Sequence, residues 1–108
     1  LNLKEKRPRR LSMKLKKKWI GRIICNADSE RSKARAMVKF LASHPELELE
    51  DEAKKFNVAM RDRENIPMVI EEAEFLMNEV APVGSVFGLI NPDFPGCFGY
   101  VRETREAA

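Results

Sequence analysis

The sequence predicts an α+β fold, with one N-terminal strand, three helices and a C-terminal β-hairpin, the strands joining in a small sheet packed on the helices. Two observations carry that expectation. The middle of the chain holds three apolar stripes at helical spacing, whereas residues 19–25 and 85–102 are short runs rich in β-branched and aromatic residues, bounded by turn formers. A third observation sets the domain plan. Residues 1–18 are too charged to join either class, so they form a basic arm ahead of a single small domain at 19–108.

The arm, LNLKEKRPRRLSMKLKKK, holds nine cations: Lys4, Lys6, Arg7, Arg9, Arg10, Lys14, Lys16, Lys17 and Lys18. Against the single acid Glu5 they give a net +8, so the remaining residues carry −5 in a chain of +3. Its few apolar residues offer too little burial to offset ordering entropy, and the arm is expected to be disordered when free. Residues 6–10, KRPRR, have the composition of a nuclear-localisation or nucleic-acid patch. Arg9-Arg10-Leu11-Ser12 also fits a basophilic kinase pattern, where phosphate would add about −1.5 to −2 charges. An Arg-rich start poor in acids is shared by transit-peptide remnants. A plain basic arm is the simpler reading.

Residues 19–25, WIGRIIC, read as a buried strand ending at Asn26-Ala27-Asp28. A rival reading makes residues 11–24 a basic amphipathic helix, because Leu11, Leu15, Trp19 and Ile23 recur every four residues. Three isoleucines and Gly21 weigh against it.

Asp28 and Ser29 are N-cap candidates for a helix over 29–43, with Ala34, Met37, Val38 and Leu41 on its inner face and Pro45 stopping it. Arg31, Arg35 and Lys39 form a cationic row beside that face, either a solvated flank or an extension of the arm's phosphate-binding surface. The Glu-Leu alternation over 46–50 looks strand-like. The acids Glu50, Asp51 and Glu52 followed by Lys54 and Lys55 favour a helix over 49–62, with Leu49, Ala53, Phe56 and Met60 inward. Asn65-Ile66-Pro67 opens a third helix, whose stripe runs from Ile66 to Val80 before Ala81-Pro82 ends it. Strands follow at 85–90 and 97–102 around a Pro- and Gly-rich turn, and Gly88 and Gly99 point to bulges or close backbone approach. Phe87, Phe94, Phe98 and Tyr100 are expected to pack in the core or at its rim rather than stack on bases.

Residues suited to catalysis are sparse. His44 is the only histidine, placed as a last-turn cap, so two-histidine zinc motifs are excluded. No phosphate-binding glycine loop occurs. Cys25 and Cys97 show no metal-binding spacing, and as neighbours in a sheet their thiols would lie close yet reduced. No catalytic residue, metal site or cofactor is therefore assigned, and an enzyme is not expected. Nor is a transmembrane segment or a secretory signal expected, and the two unpaired cysteines lead to the expectation of an intracellular, reducing compartment.

The charge asymmetry points to a non-enzymatic binding subunit of a larger assembly. The arm would grip a polyanion, RNA in a ribonucleoprotein first and DNA second, while the acidic body docks on protein. The alternative is a regulatory module whose segment 11–24 meets an acidic protein or a membrane surface.

Overall fold

The computed structural model describes residues 14–103. Within them lie β1 (Ile23–Asn26), α1 (Glu30–Ala42), α2 (Glu50–Ala59), α3 (Ile66–Glu79), β2 (Ser85–Leu89) and β3 (Cys97–Arg102). Short 3-10 turns occupy Lys17–Trp19, Pro45–Leu47 and Arg63–Asn65. The strands form one antiparallel sheet in the order β1-β3-β2, with the helices packed on it, so the expected α+β architecture is found.

Local chemistry explains the helices. Ser29 caps α1, its hydroxyl accepting the Ser32 N–H at 3.1 Å, and Ala34, Met37, Val38, Phe40 and Leu41 are buried along one side. In α2 three first-turn acids lie at the positive end of the helix dipole, and Leu49, Ala53, Phe56 and Met60 are buried as the stripe requires. The alternation before it is not a strand. Leu47 and Leu49 are buried, but Pro45–Leu47 is a 3-10 turn and Glu48 takes a left-handed φ of 58°. Along α3, Ile66, Val69, Ala73, Leu76 and Met77 fill the core, with Pro67 in the first turn where its missing N–H is not needed.

The hairpin aromatics serve the core. Phe87 and Tyr100 are buried and Phe98 is partly buried, while Phe94 in the turn is 59% exposed. The Tyr100 hydroxyl donates to the Met77 carbonyl at 2.6 Å and ties β3 to α3. Gly99 is required by close approach. A Cβ there would overlap the Arg22 carbonyl oxygen, where β1 crosses with a register shift between Ile23 and Cys25.

The N-terminal region departs from expectation in three ways. The strand is shorter than 19–25, because Gly21 turns the chain at φ 89° and Ile20 makes only an isolated parallel bridge to Tyr100. No α-helix occurs within 14–24, so the amphipathic helix is overturned over those residues. Leu15 and Trp19 reach the core from an extended segment and a single 3-10 turn. Finally, Leu15, a residue of the basic segment, belongs to the core cluster. Leu15 is only 6% exposed, and its N–H donates to the Val80 carbonyl at 2.8 Å.

The two thiols also differ from expectation. β1 and β3 are neighbours, but Cys25 faces Phe98 while Cys97 faces Asn26, so alternation sends the side chains to opposite faces of the sheet. The Cys97 thiol donates weakly to Asn26 Oδ1 at 3.7 Å.

Candidate nucleic-acid interface

Helix geometry assembles the first cationic surface. Arg31, Arg35 and Lys39 succeed one another every four residues along the exposed side of α1, as the sequence predicts. Packing of α2 on α1 adds a residue that the sequence reading missed. Arg61, in the turn after α2, lines the same cleft together with Asn57 and Met60. The cleft measures about 550 Å³, and none of these six lining residues is acidic. Arg63 stands farther along, where a neighbouring hollow also contains Arg31, Glu30 and Glu64.

A second cationic surface lies on the opposite flank of α1, where the arm enters the body. Lys14, Lys16 and Lys18 surround a hollow of about 470 Å³ lined further by Leu15, Trp19, His44 and Glu46. Lys14 is oriented by its bond from Nζ to the Glu79 carbonyl at 3.0 Å, a cation placed at the negative end of α3. Trp19 packs edge-to-face on Phe40 at 5.1 Å and lies at 76° to the His44 ring, 5.3 Å away. His44 Nδ1 is 2.8 Å from the Phe40 carbonyl, so the ring acts as the expected last-turn cap and is held in one orientation. Arg22 lies 5.7 Å from the indole centroid.

Comparison with protein families, curated proteins and solved structures finds no match to this chain. The site must therefore be read from its own chemistry. Of the twelve cations singled out in the sequence, Lys14, Lys16, Lys17, Lys18, Arg31, Arg35 and Lys39 are described, and all seven are exposed. They divide between the two flanks rather than forming one patch. Lys4, Lys6, Arg7, Arg9 and Arg10 lie outside the described residues, as does Ser12.

Other chemistry takes structural roles. Lys33 pairs with Glu74 at 2.7 Å and lies 4.0 Å from the Phe98 ring centre. Burial pushes the Cys25 thiol above its ordinary value, with nearby Lys33 opposing and Cys97 adding to the rise. Such a thiol is a poor nucleophile. Among the described residues, no group of three or more His, Cys, Asp or Glu side chains is arranged to hold a metal ion, and no helix is long and apolar enough to cross a membrane.

Proposed function

We propose that this protein is a non-enzymatic nucleic-acid-binding subunit, with RNA as its first ligand class and DNA the second. The carrying observation is the cleft in which Arg31, Arg35, Lys39 and Arg61 converge without a lining carboxylate. Like charges at i, i+4 spacing repel, at a few tenths of a kcal/mol each, and a bound polyanion removes that repulsion by neutralising them. The basic arm adds sequence-independent phosphate contacts, and the residues after it, net −5, are the part offered to a protein neighbour. The rival reading, a basic helix docking on an acidic protein or membrane, loses its apolar face because residues 14–24 contain no α-helix.

Affinity of the full chain for RNA should fall steeply with salt. Five to eight phosphate contacts, each contributing roughly 0.7 to 0.9, give a log–log slope of about −4 to −7. Fluorescence polarisation over a salt series measures it, and a slope near zero overturns the proposal.

A further inference from the structure

We infer that the hollow beside Trp19 receives one unpaired base of a single-stranded nucleic acid, with the flanking phosphates on Lys16 and Lys18. The inference rests on the nucleic-acid reading above and adds what that surface recognises.

The walls suit a flat, neutral ring. Trp19 and His44 stand nearly perpendicular, so a base lying flat on one ring meets the other across its edge. Both are positioned before any ligand arrives. Phe40 packs against each, with centroids 5.1 Å from Trp19 and 4.3 Å from His44, and the Phe40 carbonyl fixes the imidazole. Preorganised aromatics of this kind lose little conformational freedom on binding.

Charge then sets the orientation. Glu46 lines the hollow, and its carboxylate repels a phosphate while accepting the N–H groups of a base edge. Lysines stand around the same hollow. Lys14 is directed to the Glu79 carbonyl, which leaves Lys16 and Lys18 for the backbone phosphates on either side. A base-in, phosphate-out arrangement satisfies both signs of charge. Duplex ends and interiors keep their bases stacked, so the hollow selects single strands. The hairpin offers no equivalent platform: Phe87 and Tyr100 are buried in the core, and exposed Phe94 lines a hollow that contains Asp28 and no cation.

Trp19 is the only tryptophan, so its emission reports on this hollow directly. The full chain would be titrated with a single-stranded RNA of about eight nucleotides. An abasic ribose-phosphate chain of equal charge would be titrated alongside it. The expected result is quenching of Trp19 by the base-bearing strand alone, with binding about 5- to 150-fold tighter than for the abasic strand. Trp19→Phe should keep most of that difference and Trp19→Leu should remove it, with circular dichroism melts confirming that both variants fold. Equal affinity for the two strands without quenching overturns the base pocket and leaves the polyanion reading standing. Failure of both strands to bind at low salt overturns the polyanion reading and the pocket with it.

Discussion

On one flank of α1, Arg31, Arg35 and Lys39 face Arg61 across an open cleft whose other walls are Asn57 and Met60. On the other flank, lysines of the arm's root surround Trp19 and His44, which rest on Phe40 in the core. Both flanks are cationic, yet their supports differ. The arginine flank sits on two regular helices, and its side chains carry little packing duty. The tryptophan flank depends on an extended segment held down at Leu15. Charge can therefore be removed from the first without disturbing the fold, whereas the second is coupled to stability.

The largest expected effect tests the first half of that contrast. Replacing Arg31, Arg35 and Lys39 together by Gln should weaken RNA binding by about 10²- to 10³-fold near 0.1 M salt, at roughly tenfold per lost phosphate contact. The salt slope should shrink by about 2 to 3 while the melting temperature stays nearly unchanged. Undiminished binding would transfer the phosphate contacts to the tryptophan flank.

Leu15→Ala tests the second half. Truncating a buried leucine should cost about 2–4 kcal/mol of stability, read from urea denaturation. If Leu15→Ala has no effect on stability, the two flanks do not differ in the way described.

Alkaline pH should loosen the sheet between the flanks. Burial raises the Cys25 thiol above its ordinary 9.0 and the Tyr100 phenol well above its ordinary 10.0. The unfolded chain, with ordinary values, loses these protons first. The contribution is therefore fully present below about pH 9 and is lost as pH rises through the folded-state values. Melting temperatures should fall from about pH 9 upward, and Tyr100→Phe should flatten the decline beyond pH 10 after an initial loss of about 1 kcal/mol from the Met77 hydrogen bond.

The smallest effect concerns the thiols. Mild oxidation should yield no Cys25–Cys97 crosslink, because the pair occupies opposite faces, and Cys97 should alkylate well before buried Cys25. Non-reducing mass spectrometry reads both outcomes.

The parts of the fold legible in the sequence were those governed by neighbours in the chain. Ser29 with the stripe Ala34–Met37–Val38–Leu41 defines α1, and Pro67 marks the start of α3, through local capping and periodicity. Leu15 is legible in the sequence only as one position of an amphipathic stripe, because its burial in the core depends on Val80, far along the chain at the end of α3. The same holds for the site. The α1 row follows from helical spacing, but Arg61 joins it only through helix packing, and Trp19 meets His44 only because the segment before β1 crosses the end of α1. The hairpin aromatics Phe87 and Tyr100 pack in the core, as expected, whereas Phe94 in the turn is exposed.

The bonds from Lys14 Nζ to the Glu79 carbonyl and from the Leu15 N–H to the Val80 carbonyl fasten the root of the tryptophan flank to the end of α3. Under the proposed function, a strand held on one flank would be presented to the other at a raised effective concentration, so the two modest surfaces would act as a bivalent grip, and loosening the anchor at α3 would weaken that grip without removing one charge.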